Sequence, residues 1–238
     1  MDFSTITACG ECCAGCRKKE EGLCKGCIES DGNCKEWEES GGCPIHKCTR
    51  KHNIQFCGLC NEFPCKWVLE KVTWRPEYAK EHLKLAEQYR SINIRQATEK
   101  DIYRISEILV FNYRLNFYPI FKNDEYYFDE MKVNNVAKEF IEADNQANIY
   151  VYDDGVVKGF VKLSGNEIEK LFVEPVLQGQ GIGKKLLDFA VCDLGAQCLW
   201  ALEKNQRAIN FYKRNGFLVT DGKKLEEGTE EYLVLLKK

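Results

Sequence analysis

The sequence predicts an α+β protein: a mixed domain of strands and helices preceded by a small Cys-rich, metal-binding domain. Three observations carry this. Twelve of fourteen cysteines lie in the first 65 of 238 residues. From Ile92 onward, short apolar runs alternate with runs of helical spacing. A glycine-rich turn, Gln178 to Gly183, stands between a strand-like and a helix-like segment. Alternation of the two periods marks a mixed domain of ordinary size. Dense Cys and Gly with few apolar runs mark a small fold held by cross-links or metal.

Residues 1–75 are assigned to the Cys-rich domain, 76–90 to a connecting helix and 91–238 to the second domain. Pro76 sits at a helix start, followed by Tyr78, Leu83, Leu85 and Ala86 among charges. Ile92 to Ala97 reads as a strand, and Asp101 to Asn116 as a helix with Ile102, Ile105, Ile108 and Leu109 on one side. A second helix covers Val136 to Ala143. Asn148 to Tyr152 and Val156 to Leu163 are apolar runs split by Asp153-Asp154-Gly155, a hairpin signal. Ile168 to Val173 is the next strand. Ile182, Leu186, Phe189 and Ala190 then follow helical spacing. Gln197 to Leu202 reads as a strand, and Gln206 to Arg214 as a helix closed by Asn215-Gly216. Phe217 to Thr220 and Glu231 to Leu236 complete the strands.

A chain with 44% hydrophobic and 30% charged residues can bury a core. Its net charge of −3 provides no global positive field, so nucleic acid is not an expected partner. The start lacks an export signal and no run reaches membrane-spanning length, so the expected location is cytoplasmic and no membrane partner is expected. Oligomeric state stays open between monomer and homodimer.

Four C-x-x-C knuckles, Cys9/Cys12, Cys13/Cys16, Cys24/Cys27 and Cys57/Cys60, are joined by Cys34, Cys43, Cys48 and Cys65, with His46 and His52 in reserve. Thiolates two residues apart can grip one tetrahedral ion, so Zn2+ is the leading expectation, with two or three structural ions. An iron–sulfur cluster would use the same ligands. Disulfides do not suit a cytosolic chain. The run from Cys9 to Cys16, with Cys24-Lys25-Gly26-Cys27 and Cys57 to Cys65, resembles a bacterial and archaeal Cys-rich family of unknown function.

In the second domain, Leu171 to Lys185 takes a strand into a glycine turn that opens a helix. Unpaired N–H groups converge there at the positive end of the helix dipole, an arrangement that suits phosphate. An ordinary strand-to-helix turn is the alternative. A dinucleotide fingerprint fails because Lys184 and Leu186 stand where glycine is needed, and a Walker loop fails because Lys185 has no hydroxyl.

The pattern Q-x-x-G-x-G at Gln178, Gly181 and Gly183 resembles the coenzyme A pyrophosphate loop of the GNAT superfamily of N-acetyltransferases. Leu199 to Phe217, with N-x-x-A-x-x-F-Y-x-x-x-G-F from Asn205, resembles that family's second motif. The resemblance covers about 147 residues from Ile92. It implies a mixed, mostly antiparallel twisted sheet flanked by helices, and an acyltransferase that moves acetyl from acetyl-CoA directly to an amine. With no acyl-enzyme to form, Cys192 and Cys198 are expected as buried small hydrophobes.

Carried onto this chain, the resemblance implies cofactor contacts from Leu171, Phe172, Val173, Gln178, Gly179, Gln180, Gly181, Ile182, Gly183, Lys184, Asn205, Ala208 and Tyr212. The N–H of Val173 would stabilise the oxyanion. Tyr212 would protonate the departing thiolate, or else is a packed aromatic. Asn205 would touch the cofactor, cap its helix, or both. All three histidines precede residue 91, so the base would be a carboxylate or a water chain: Glu169 first, then Glu174 and Glu203. Phe111 to Glu130, with eight aromatics and the acids Asp124, Glu125, Asp129 and Glu130, would suit a cationic or aromatic amine, or would be a lid. The competing expectation is a non-enzymatic coenzyme A-binding module that senses metal or redox state or recruits a protein.

Overall fold

The computed structural model describes residues 3–14, 17–22, 25–33, 37, 39–52, 54–72, 76–142 and 148–238. Its contacts divide the chain into two units, Met1–Tyr89 and Arg90–Lys238.

The first unit contains α1 (Arg17–Glu20), α2 (Pro44–His52), α3 (Lys66–Lys71) and α4 (Tyr78–Arg90), with a bridge between Ile6 and Cys12. Two apolar clusters hold the described residues, one around Ala8, Cys57, Val68 and Tyr78, the other around Ile6, Phe56 and Ala86. The helix expected over 76–90 is α4, and its buried residues pack within this unit. His82 of α4 is 2% exposed. Its ring stacks on Tyr78 at 3.8 Å, and its nitrogens lie 2.8 Å from the Tyr78 carbonyl and 2.5 Å from the Cys9 carbonyl. Helices α2 and α3 were not anticipated, because each is short, nine and six residues, and carries too few apolar residues to show a helical period.

In the second unit the order is β1 (Ile94–Gln96), α5 (Ile102–Asn116), α6 (Tyr118–Phe121), α7 (Val133–Glu142), β2 (Ile149–Asp153), β3 (Val157–Ser164), β4 (Glu167–Val173), α8 (Ile182–Cys192), β5 (Cys198–Leu202), α9 (Gln206–Arg214), β6 (Leu218–Leu225) and β7 (Tyr232–Lys237). A 3-10 turn, Glu99–Asp101, precedes α5 and a π-helical turn, Glu125–Glu130, follows α6. The sheet runs β1-β2-β3-β4-β5-β7-β6, antiparallel except at β4–β5. The mixed, mostly antiparallel fold is therefore present.

Strand period places neighbours on opposite faces. Phe160 joins the core formed with Ile102, Ile105 and Ile108 of α5 and Ala137 and Phe140 of α7, whereas Val161 joins the core with Leu186 of α8 and Ile209 of α9. The isoleucines at spacings of three put one stripe of α5 wholly inside. Gly159 lets β3 lie close to its neighbour, since a Cβ there would come within 2.9 Å of the Phe172 carbonyl. At the β2–β3 turn, Gly155 has φ +117° and donates its N–H to Asp153. Among the described residues no helix is long and apolar enough to cross a membrane.

Two expectations are corrected. β6 continues to Leu225 rather than ending at Thr220, because its outer half is exposed and lysine-rich and shows no apolar alternation. Cys192 is exposed and Cys198 only half-buried. One ends α8 and the other begins β5, so neither reaches the centre of the core.

Candidate active site

The site forms where β4 and β5 part. Their parallel pairing is confined to Glu167 and Cys198. On the other side of β4, the Glu174 N–H donates to the Lys158 carbonyl at 2.8 Å, in register with Phe160–Phe172 and Lys162–Lys170. Bonded and non-bonded pairs alternate in an antiparallel ladder. Phe172 and Lys170 therefore turn their peptide groups toward β3, and Leu171 and Val173 turn theirs toward the gap. Because Lys162 faces Lys170 and Leu163 faces Ile168, Glu169 is the extra residue of a bulge.

A polar clamp fixes the end of this strand. The Val173 carbonyl accepts from Asn112 at 3.0 Å and from Gln178 at 3.1 Å, and Gln178 also donates to the Asn112 side-chain oxygen at 3.0 Å. Arg207 donates to the Gln178 oxygen. Asn112 is 1% exposed. Sequence reading missed it, since one asparagine on an apolar helix carries no spacing signal.

After the clamp, Gly179 and Gly181 take φ +81° and +84°, a left-handed backbone that favours glycine. Gly181 is the N-cap of α8. Among the described residues no backbone carbonyl accepts from the N–H groups of Gly179, Gln180 or Gly181. Those of Ile182, Gly183 and Lys184 belong to the first helical turn, which has no intrahelical acceptor. Lys184 itself pairs with Asp188 at 2.5 Å. A Cβ on Gly183 would meet Val173, Phe211 and Leu171 at 3.6 to 3.9 Å, so this glycine sits against β4 and α9.

On the far side of the gap, Tyr212 of α9 is 8% exposed. Its ring makes edge contacts with Phe211 at 5.1 Å and Phe217 at 5.7 Å. Among the described residues nothing accepts from its hydroxyl. Burial pushes this phenol well above its ordinary range, so it holds its proton at neutral pH. Asn205 caps α9 by accepting from the Ala208 N–H at 3.1 Å.

A cavity of about 770 Å³ opens along this gap, within the usual range for ligand sites. It is lined by Leu171, Phe172, Glu169, Asn205, Ala208 and Tyr212 among the expected residues, and by Tyr113, Phe117, Phe121, Tyr126 and Tyr127 from the aromatic segment. Gln178 to Lys184 and Val173 are not in its wall. Nor are the acids Asp124, Glu125, Asp129 and Glu130: Asp124 accepts from the Tyr118 hydroxyl, and Asp129 pairs with Lys132. The carboxylates of the wall are instead Glu167, Glu169, Glu226, Glu227, Glu230 and Glu231. The last four and Glu167 carry no motif spacing and were not anticipated; Trp200, also in the wall, lies in the Leu199 to Phe217 stretch but was given no site role.

Glu169 is exposed and pairs with Lys162 at 2.9 Å and Lys170 at 3.5 Å. Burial opposes the Lys170 charge, but Tyr113 and Glu169 beside it hold its pKa above the ordinary lysine value. Glu174 lies outside the wall, with Arg104 at 2.7 Å, and Glu203 pairs with Lys223 at 2.9 Å.

In the first unit, Cys16, Cys24 and Cys34 lie outside the described residues. Of the others, Cys43 and Cys57 are buried, Cys9, Cys13, Cys27, Cys60 and Cys65 are partly exposed, and Cys12 and Cys48 are exposed. Burial pushes the Cys57 thiol up to about 12, with Cys65, Cys48, Cys60 and Cys9 adding to the effect. Among the described residues no three Cys, His or acidic side chains converge to hold a metal ion.

Residues 145–219 match the family model of an acetyltransferase (GNAT) domain. Over 87 residues the chain is 33% identical to the peptidyl-lysine N-acetyltransferase YjaB of Salmonella typhimurium, covering 37% of this chain and 60% of that protein. It is 36% identical over 78 residues to the peptidyl-lysine N-acetyltransferase YiaC of Escherichia coli, covering 32% and 53%. The chain thus spans less than two thirds of the length of either curated relative. Among solved structures, apo YjaB from Escherichia coli aligns with TM-score 0.49 and 22% identity, over 60% of this chain and 95% of that one. The match covers the glycine turn, β5 and α9, so it is this stretch of the chain that is similar to a GNAT acetyltransferase domain.

Proposed function

We propose that the second unit is an N-acetyltransferase that moves acetyl from acetyl-CoA directly to an amine, with a lysine side chain as the acceptor. The observation that carries this is the open edge of β4, which aims the Leu171 and Val173 peptide groups into the gap bordered by a buried, unpartnered Tyr212. The matched family and the names of the relatives support the choice of amine.

The free N–H groups of the glycine turn hold the cofactor's diphosphate, and the edge of β4 aligns its extended arm by strand-like pairing. The acceptor nitrogen attacks the thioester carbon. The Val173 N–H donates to the oxygen as it becomes negative. As the C–S bond breaks, Tyr212 gives its proton to the thiolate and recovers one from the amine through water or Glu169. A phenol with a raised pKa stays protonated through the assay range, so it remains a competent donor.

The test is acetylation of a lysine peptide by the full chain, read by mass spectrometry so that the protein's own thiols do not interfere. Tyr212→Phe should lower kcat by about 10²-fold with the KM for acetyl-CoA little changed. Binding of coenzyme A without acetylation of any amine would favour the non-enzymatic module instead.

For the first unit we propose structural zinc, on the spacing of its Cys knuckles. The mutual influence of Cys48, Cys57, Cys60 and Cys65 supports a shared neighbourhood. Metal analysis of the purified chain decides: a colourless protein that releases zinc on acid treatment supports it, and a brown one indicates an iron–sulfur cluster.

A further inference from the structure

Six carboxylates and two ammonium groups line the cavity. Both lysines are engaged: Lys170 with Glu169 and Tyr113, and Lys224 over the Trp200 ring at 4.4 Å. Glu169 is neutralised by Lys162 and Lys170, and Glu231 by Lys204 at 2.6 Å. Glu167, Glu226, Glu227 and Glu230 have no cationic partner among the described residues. Carboxylates without cationic partners on one cavity give it a negative potential that attracts a cation.

Glu167 begins β4, and the carrier of the other three is built rather than loose. Between β6 and β7, the Glu226 N–H donates to the Glu231 carbonyl at 2.8 Å. The Thr229 N–H and hydroxyl both donate to the Glu226 carbonyl, and the Glu231 N–H donates to the Thr229 hydroxyl at 3.1 Å. Glu226 is half-buried and faces the aromatic wall: the Tyr127 phenol is pushed up first by burial, then by Tyr126, Tyr113 and Glu226. Glu227 and Glu230 are exposed at the rim. The same cavity reaches Tyr212, a residue 8% exposed whose hydroxyl has no hydrogen-bond partner among the described residues.

We infer that the β6–β7 connection is a specificity lip that selects, as acceptor, a peptide lysine flanked by further basic residues. The inference rests on the acetyl-transfer reading and deepens it. Glu226 and Glu167, beside the aromatic wall, receive the incoming ammonium. Glu227 and Glu230 meet the flanking charges that a peptide, unlike an isolated amine, brings to the rim.

The experiment uses the full chain with three peptides of equal length, whose single lysine is flanked by Arg, Ala or Glu. Wild type should favour the Arg-flanked over the Glu-flanked peptide by about 10-fold in kcat/KM, mostly through KM, with the preference shrinking as salt rises. The variant Glu226→Gln/Glu227→Gln/Glu230→Gln should level the three peptides while leaving the KM for acetyl-CoA unchanged. Equal use of the peptides by wild type, or a preference that survives in the variant, would overturn the lip. Calorimetric binding of the same peptides with coenzyme A present separates the two claims. Flank-selective binding without turnover would sink the enzyme reading and keep the lip; turnover without flank selectivity would do the reverse.

Discussion

The two units reach order by different means. In the second, Phe160, Leu186, Leu236 and the isoleucines of α5 are wholly buried against a seven-stranded sheet. In the first, the described residues form apolar clusters of seven and three buried members, and two of the seven are cysteines. A segment that buries so little apolar surface needs a further source of stability to offset its chain entropy. The difference teaches where to look for each unit's weak point: packing in one, thiol chemistry in the other.

Removal of the zinc proposed for the first unit tests that contrast most severely. Structural zinc contributes roughly 10–16 kcal/mol in small domains, more than any single side chain can. Under reducing conditions, a strong chelator should abolish hydrogen-exchange protection in α2 and α3 while the amides of β2 to β5 keep theirs. Retained protection in α2 and α3 would mean that the apolar clusters suffice, and the contrast would collapse.

Phe160→Ala is the converse and should be the larger of the two packing and polar effects. Phe160 is 0% exposed, and such a truncation costs about 3–5 kcal/mol. The second unit should melt earlier, with unchanged metal content in the chain. A loss of metal together with this mutation would show that the units do not stand on separate supports.

The same contrast explains what was legible in the sequence. Apolar periodicity located α5 and α8, which bury one face, and short apolar runs located β2 to β4, where neighbours such as Phe160 and Val161 enter cores on opposite faces; α9 was marked by its Asn215-Gly216 stop. Asn205 and the glycine turn were legible because a cap and a left-handed backbone demand particular residues. The outer half of β6 was not, since an exposed edge imposes no alternation. Asn112 and the lip from Glu226 to Glu231 escaped for another reason: they meet β4 and the aromatic wall only after the chain has folded, and no local spacing announces that. In the Cys-rich unit, the cysteines reveal a chemistry but not which thiols share a site, because pairing through space leaves no period.

The smallest effect sharpens the comparison from within the second unit, by asking how much of its stability is not apolar. Arg95 of β1 donates to both oxygens of Asp101 at 2.7 and 2.9 Å and to Asp153 at 2.6 Å. Asp101 also accepts the Thr98 N–H and hydroxyl, both at 2.8 Å. The guanidinium, aided by Thr98, holds the Asp101 carboxyl well below the usual carboxylate range. A depressed folded-state pKa gives stability that is complete above the unfolded value, about 3.9, and is lost as pH falls through the folded one. Arg95 is 41% exposed on its side chain, so solvent screens the pair. Asp101→Asn should then cost about 1–2 kcal/mol, between exposed and buried pairs. By urea denaturation, its gap from wild type should be constant from pH 8 to 5 and shrink from about pH 4 downward. The Phe160→Ala gap carries no such dependence, since no titrating group is removed. If the Asp101→Asn gap stayed as flat as that of Phe160→Ala, Asp101 would be acting through packing rather than through its charge.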